Sequence, residues 1–325
     1  MRAAVHERYG PPSVMRIAEI PQPEPSAREL LVKVHASTVN RSDCGFRSAK
    51  PFIVRPFSGL IRPRHPVSGT EFSGVVAAVG REVRDFAEGD SVFGRLQDER
   101  PGAHAEYLLV PESGAVAHKP ANLSHEQAAA LCDGGMMAGM YLRQVDLERR
   151  PRILVNGASG AIGSAAVQLA KARGARVTAV CKTESVEIIH GLGADRIIDY
   201  RREDFTATNA VYDVVLDTVP TSSLGRCRRL LREGGHYLSA ELGPWCQHPL
   251  MALWTPLARS RVQVRFPGPF YRKWEALALK ELAEAGKFTP VVDRVYGLDE
   301  IVAAAAYVET GEKIGNVVIS VAAAG

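Results

Sequence analysis

The sequence predicts an α/β protein: a doubly wound parallel sheet joined to a second, β-rich unit. Three observations predict it. An apolar run breaks into a glycine turn at Asn156–Gly160 and reopens as a helix. Strand-like and helix-like stretches alternate after Ser124. Residues 1–121 instead carry short β-rich runs punctuated by Pro and Gly, the pattern of a compact barrel-like unit. With 325 residues the chain is long enough for about two domains.

The glycine turn organises the rest. Ile153 to Val155 reads as a buried strand, and a helix starts at about Ala161. Ile162, Ala165, Ala166, Leu169 and Ala170 recur at the spacing of one helical face, and Gly174 follows as a C-cap. Such a turn brings backbone N–H groups and a helix dipole against an anion, which makes it a phosphate cradle. The fingerprint reads A-x-G-x-x-G over Ala158, Gly160 and Gly163, with Gly157 in front and Ala where the first glycine usually stands. An ordinary strand-to-helix turn is the bland alternative. The surrounding strand and helix favour dinucleotide binding through Ser159, Gly160, Ala161 and Ile162.

In chain order, β-rich runs fall at Leu30–Val34, Gly74–Gly80, Asp90–Gly94 and Ala105–Val110, with Pro21–Pro25 as an extended connector between the first strands. Ser124 and Gln127 form a capping-box pattern ahead of an Ala-rich helix. After the cradle, Arg176–Val180 reads as strand, Glu184–Leu192 as helix, and Arg196–Tyr200 and Asp213–Val219 as strands. A helix is expected over Ser222–Arg232, ending at Gly234-Gly235, then strands at His236–Glu241 and Val262–Phe266. Trp274, Leu277, Ala278, Leu282 and Ala285 share one face of a helix over Tyr271–Ala285. A helix at Leu298–Glu309 and a strand at Val317–Val321 close the chain.

Composition narrows the function. Hydrophobic residues make up 46% and charged residues 23%, as in a globular protein, and the net charge of +4 is mild. Of the 40 basic residues 31 are Arg, but they are scattered and point to no nucleic acid. No apolar run reaches the ~18 residues of a membrane span, and the N-terminus lacks a signal-peptide core. A cytoplasmic protein with no membrane partner is expected. The five cysteines lie far apart, which fits buried free thiols rather than a disulfide framework or zinc ribbon.

An NAD site places an acid at the end of the second strand to hold the ribose hydroxyls. Here that strand ends Val180-Cys181-Lys182, with Lys182 where a 2′-phosphate would sit. Ser185 and Tyr200 are further donors. The charge favours NADPH, although Glu184 opposes it and Lys182 also reads as a solvated surface lysine.

The motifs Val39-Asn40-Arg41-Ser42-Asp43, Gly69-Thr70-Glu71-Phe72-Ser73-Gly74-Val75-Val76, Gly157 to Gly163, Leu192-Gly193-Ala194-Asp195, Ile198-Asp199-Tyr200 and Lys313-Ile314-Gly315-Asn316-Val317-Val318 extend this reading. Over nearly its full length the chain resembles a zinc-independent medium-chain dehydrogenase/reductase of the quinone oxidoreductase type. The resemblance implies a GroES-like domain over 1–121 and 268–325, a Rossmann domain over 122–267, a cleft active site and a homodimer paired through Rossmann edge strands. Relatives often carry Ser and Arg where this chain has Lys182 and Glu184. Zinc-dependent relatives carry Cys at Asn40 and His at Thr70, so no metal is expected. Cys132 falls near a third ligand position, and Glu71 matches a nearby acid.

Without a Lewis acid, alcohol oxidation is disfavoured. The expected reaction is hydride transfer from NADPH to a small-molecule quinone or α,β-unsaturated carbonyl, whose enolate charge needs only hydrogen-bond donors. By resemblance Asn40 is the catalytic candidate, facing the nicotinamide ribose or the substrate oxygen; Phe266 and Asn316 flank the nicotinamide. Asn40 and Asp43 also read as a helix cap. No His, Tyr or Lys is an obvious general acid, which leaves water as proton source. Cys132 to Met140, rich in Gly and Met, reads as an adaptable pocket wall or as core filling. The loop from Arg47 to His65, with Lys50, Arg55, Arg62, Arg64 and His65, reads as a steering surface for an acidic or phosphopantetheine-bearing substrate, or as a solvated basic loop. A nucleotide-binding relative without redox activity and a pathway-specific biosynthetic reductase remain alternatives.

Overall fold

The structure is a computed structural model that describes residues 1–98, 100–147, 149–220, 222–239, 243, 247–257, 260–266, 268 and 270–321. The chain forms two compact units, Met1–Asp133 with Phe270–Gly325, and Gly134–Pro269.

The first unit opens with β1 (Arg2–Val5), β2 (Arg16–Glu19) and β3 (Glu29–Val39). Two short helices follow, α1 (Arg41–Ser48) and α2 (Arg55–Ser58), then β4 (Glu71–Val79), β5 (Ser91–Arg95), β6 (Tyr107–Pro111), β7 (Ala115–His118) and α3 (His125–Ala130). β3 runs five residues past the expected end at Val34, because His35 to Val39 continue as mostly small or apolar residues facing the core. It is the spine of the sheet, antiparallel to β4 and β6. Gly74 sits at its closest crossing, where a Cβ would lie 2.1 Å from the carbonyl oxygen of Lys33. α3 carries the full Ser124–Gln127 capping box and packs on β3 and β4. Residues 122–133, expected in the dinucleotide-binding domain, therefore fall with the first unit.

The second unit begins within α4 (Cys132–Leu142) and continues through β8 (Arg152–Asn156), α5 (Ala161–Ala172), β9 (Arg176–Cys181), α6 (Val186–Gly191), β10 (Arg196–Asp199) and β11 (Tyr212–Asp217). Next come α7 (Leu224–Cys227), β12 (Leu231–Ser239), α8 (Gln247–Leu257) and β13 (Val262–Arg265). Six parallel strands line up as β10-β9-β8-β11-β12-β13, which in order of appearance is the 3-2-1-4-5-6 arrangement of a doubly wound dinucleotide-binding sheet. Its order reverses between β8 and β11. The helix expected over Ser222–Arg232 is shorter: α7 yields to a 3-10 turn over Arg228–Leu230, and Leu231 already pairs with Tyr212. A register shift with Gly234 at φ +74 lets the strand resume at His236. Residues 240 and 241, the end of the strand expected at His236–Glu241, lie outside the described residues.

The chain returns to the first unit through α9 (Lys273–Glu284), β14 (Val292–Gly297), α10 (Ile301–Thr310) and β15 (Asn316–Ser320). β14 and β15 extend the seven-stranded sheet, ordered β14-β15-β3-β4-β5-β7 with β6 also paired to β3. The buried face of α9 is not the predicted one: Ala276, Leu279 and Ala283 are buried, whereas Trp274 and Leu277 are 46% and 44% exposed. α9 packs on β7, and two alanines permit a close approach that an indole would block. α10 buries Ile301, Ala304, Ala305 and Val308 and ends at Gly311 in the left-handed region. Among the described residues no helix is long and apolar enough to cross a membrane. Cys44, Cys132, Cys181 and Cys227 are buried and free; Cys246 lies outside the described residues.

Candidate active site

The cradle is built by backbone. Gly157 has φ +82, a conformation that L side chains rarely adopt, and it turns the chain out of β8. A Cβ on Gly163 would lie 2.1 Å from the Gly157 carbonyl oxygen, so only glycine lets α5 pack under the turn. Gly160 caps α5 with φ −77 and ψ 173, which any residue can adopt, and a Cβ there would meet nothing nearer than 3.5 Å. Neither strain nor an internal clash requires glycine at Gly160; the open space beside it is what a phosphate approaching the backbone would use. Ser159, Ala161 and Ile162 follow the same path at the carboxyl end of β8. Beneath, Asn156 Nδ2 donates to Asp217 Oδ1 at 2.9 Å and the Tyr237 hydroxyl donates to Asp217 Oδ2 at 2.6 Å, joining the ends of β8, β11 and β12. Burial pushes the Asp217 carboxyl above its usual range. This trio has no motif in the sequence to announce it. Gly134 in α4 also belongs here, since its Cβ would lie 2.5 Å from the Ala161 carbonyl oxygen.

Lys182, Tyr200 and Phe266 stand immediately after β9, β10 and β13, at the same carboxyl edge of the sheet as the cradle. Lys182 is only 7% exposed and has a partner of its own, so it is not a solvated surface lysine. Tyr200 is 52% exposed and available to a ligand. Ser185, expected as a further donor, is 0% exposed, and its hydroxyl has no hydrogen-bond partner among the described residues. Arg201, which the sequence reading passed over, pairs with Glu184 and offsets that acid's charge beside Lys182. Its signal was its place directly after Tyr200. Phe266 is half-buried.

In the first unit the polar residues of the Val39–Asp43 and Gly69–Val76 motifs converge. Asn40 caps α1 through a complete capping box: its Oδ1 accepts from the Asp43 N–H at 2.9 Å, and Asp43 Oδ2 accepts from the Asn40 N–H at 2.9 Å. Its remaining amide hydrogens point at Glu71 Oε2, 3.3 Å away, and Thr70 Oγ1, 3.4 Å away. Asn40 is thus both the cap and a member of a buried cluster. Continuing the β15–β3 register one residue beyond Val317↔Val39 sets Asn316 opposite Asn40. Asn316 is 6% exposed and donates to the Val291 carbonyl at 3.0 Å.

Glu71 is wholly buried. Thr38 donates to its Oε2, and the Asp133 N–H donates to its Oε1 at 2.5 Å. Burial, and then the charge of Asp133, pushes the Glu71 carboxyl up to about 7. Burial raises Asp133 as well, opposed by Arg95. The Arg95 guanidinium donates to Asp133 at 3.1 Å and to Asp98 at 2.7 Å, and lies 3.6 Å from the centre of the Tyr271 ring. These charges share partners in a low-dielectric interior, where a charge left alone would be costly. Among the described residues no three His, Cys, Asp or Glu side chains converge to hold a metal. Cys132 donates to the Ala128 carbonyl, and burial keeps its thiol well above the usual range. Met136 and Met140 are buried, and Met137 is half-buried. A cavity lined by Ser42, Asp43, Phe46, Ser58, His65 and Thr70 adjoins the α1 cap.

Comparison with known proteins agrees with both constructions. Residues 26–121 match the alcohol dehydrogenase GroES-like domain, and residues 192–319 match the zinc-binding dehydrogenase model. The chain is 32% identical to the 2-methylene-furan-3-one reductase of Solanum lycopersicum and 32% identical to the chloroplastic NADPH-dependent alkenal/one oxidoreductase of Arabidopsis thaliana, in each case over 98% of this chain and 79% of the relative. The quinone oxidoreductase of Coxiella burnetii superposes with a TM-score of 0.88 at 27% identity, covering 99% of both chains. With a GroES-like sheet, a Rossmann sheet and relatives of this similarity, the chain belongs to the medium-chain dehydrogenase/reductase family, in its quinone-oxidoreductase-like branch, and is an oxidoreductase that uses a nicotinamide cofactor.

Proposed function

We propose that the protein is an NADPH-dependent, metal-free reductase of quinones or α,β-unsaturated carbonyl compounds, acting as a cytoplasmic homodimer. The observation that carries the cofactor choice is Lys182: a buried ammonium stands at the end of β9, with no acid at Cys181 or Lys182 to hold ribose hydroxyls. The open cradle at Gly160 fits a pyrophosphate, with the backbone of Ser159, Gly160, Ala161 and Ile162 as donors. When bound, the nicotinamide supplies the hydride.

The remaining roles belong to the chain's own residues. Asn40 is assigned to the nicotinamide ribose or the substrate oxygen, where an amide hydrogen stabilises developing negative charge. Phe266 and Asn316 are assigned to the faces of the nicotinamide, and Tyr200 to the adenosine end. The metal-free reading rests on the donor set. An amide and a hydroxyl stand at Asn40 and Thr70 and engage each other, and the Cys132 thiol is held protonated, whereas a tetrahedral zinc needs three or four anionic or imidazole ligands. The dimer reading rests on β13, which among the described residues pairs only with β12 and leaves a sheet edge open.

Loss of NADPH absorbance with panels of quinones and enones is the expected result; no turnover with any acceptor would overturn the activity. Lys182→Ala is expected to raise the KM for NADPH by about tenfold, a loss of ~1.4 kcal/mol, and to leave the KM for NADH unchanged. Equal effects on both would remove Lys182 from the 2′-phosphate.

A further inference from the structure

From Cys44 to Thr70 the chain has no Asp or Glu, yet it carries Lys50, Arg55, Arg62 and Arg64 besides Arg47. Arg47 turns inward to pair with Glu309 and is no part of the surface. The exposed segment is apolar as well as basic. Phe52, Phe57, Leu60 and Ile61 are 73%, 60%, 64% and 88% exposed, and Ile53 is 47% exposed. Single exposed apolar residues are ordinary on a protein surface; this many between Phe52 and Ile61 form a patch.

The patch is braced, so its exposure is not a by-product of slack chain. The Tyr9 hydroxyl lies 2.8 Å from Ser58 Oγ and donates to the Gly59 carbonyl at 2.6 Å. The Arg64 N–H donates to the Ser58 carbonyl at 2.8 Å. Arg55 donates to the Leu60 carbonyl at 3.0 Å, and its guanidinium lies 5.0 Å from the centres of both the Tyr9 and Phe52 rings. Lys50, Arg62 and Arg64 are exposed and make no ion pair among the described residues.

The geometry points to this hump, Lys50 to Arg64, as a peripheral docking surface for an anionic lipid bilayer. Exposed aromatic and aliphatic side chains, with exposed cations before and after them in the sequence, suit an interfacial layer, where acyl chains take the apolar tips and headgroup charges meet Lys50, Arg62 and Arg64. A second copy of the same hump would set like charges face to face, which opposes self-association through it. This revises the expectation of no membrane partner. It uses nothing of the nucleotide or hydride assignment, and it stands or falls separately from them.

The test is sedimentation of the full-length protein with vesicles. Binding to mixed phosphatidylcholine–phosphatidylglycerol vesicles, weaker to phosphatidylcholine alone and weaker at high salt, is expected. The double variant Phe52→Ser/Ile61→Ser should lower the partition coefficient by about tenfold or more. Arg62→Ala and Arg64→Ala should each lower it by about fivefold and flatten the salt dependence. Thermal unfolding midpoints should not move, because these side chains are exposed. Failure to sediment with the mixed vesicles would overturn the proposal, as would undiminished binding by Phe52→Ser/Ile61→Ser. Lipid-free oligomers abolished by that same double variant would also overturn it, by assigning the patch to a contact between copies.

Discussion

The cradle after β8 and the carboxylate cluster around Glu71 are built by opposite means. The cradle is backbone, assembled from neighbours within seven residues; its shape depends on the missing side chains at Gly157 and Gly163, and Gly160 leaves open space beside it. The cluster is built mostly from side chains, with the Asp133 backbone N–H among its donors, and gathers Asn40, Glu71, Arg95, Asp133 and Tyr271 from distant parts of the sequence. A site of the first kind tolerates change in charge but not in volume. A site of the second kind tolerates little change in charge, because every member is another member's counter-ion or hydrogen-bond partner.

The largest effect should come from breaking the second kind. Arg95→Met strands Asp133 in the interior, takes the partner from half-buried Asp98, and is expected to cost about 3–5 kcal/mol in urea unfolding; near-native stability would show that the cluster does not depend on its cation. For the cradle, Gly163→Val must displace the Gly157 carbonyl and should cost about 1–3 kcal/mol. Gly160→Ala sharpens the contrast. With no neighbour closer than 3.5 Å it should leave the unfolding midpoint in place while weakening NADPH binding, read by fluorescence titration, by about tenfold. A stable variant with unchanged affinity would take Gly160 out of the phosphate site.

The cluster should also carry a pH signature that the cradle lacks. The Glu71 carboxyl, raised from 4.5 to about 7, stabilises the fold fully below pH 4.5, and that contribution is lost as pH rises through about 7. His104, whose buried imidazole is lowered from 6.5 to about 4, acts in the reverse direction: its contribution is complete above pH 6.5 and lost as pH falls through about 4. Between pH 6.5 and about 8 the Glu71 effect therefore stands clear of His104. Wild-type unfolding free energy should fall across that interval, and Glu71→Gln should flatten the fall; an unaltered slope would assign it to other groups. The smallest effect belongs to Glu184→Gln, which breaks an exposed pair with Arg201 and should move stability by less than about 1 kcal/mol. A larger change would mean that this surface pair is organised like the buried cluster.

The same contrast explains what the sequence made legible. The cradle, the alternation of strands and helices and the Ser124 cap are local in sequence, so spacing alone exposed them. Lys182 was placed correctly at the end of its strand, yet its burial was not readable, because burial is set by neighbours far along the chain. The α9 face failed for a related reason. Spacing put Trp274, Leu277, Ala278, Leu282 and Ala285 on one face, whereas the residues that the helix buries are Ala276, Leu279 and Ala283, and the packing of the helix on β7 is not local in sequence. The Ser222–Arg232 helix failed because pairing of Leu231 with β11 outcompeted helical propensity. Glu71 was visible only as a motif letter, and its bond to the Asp133 amide required the fold.

The pairing of β15 with β3 sets an order of events during synthesis. A ribosome will have released every strand of the second unit's six-stranded sheet before it makes Asn316, so that sheet can close while the first unit still lacks two of its strands. Until then the edge of β3 that faces β15 stays open, and a nascent chain cut short before its last residues would present that edge to whatever strand comes by.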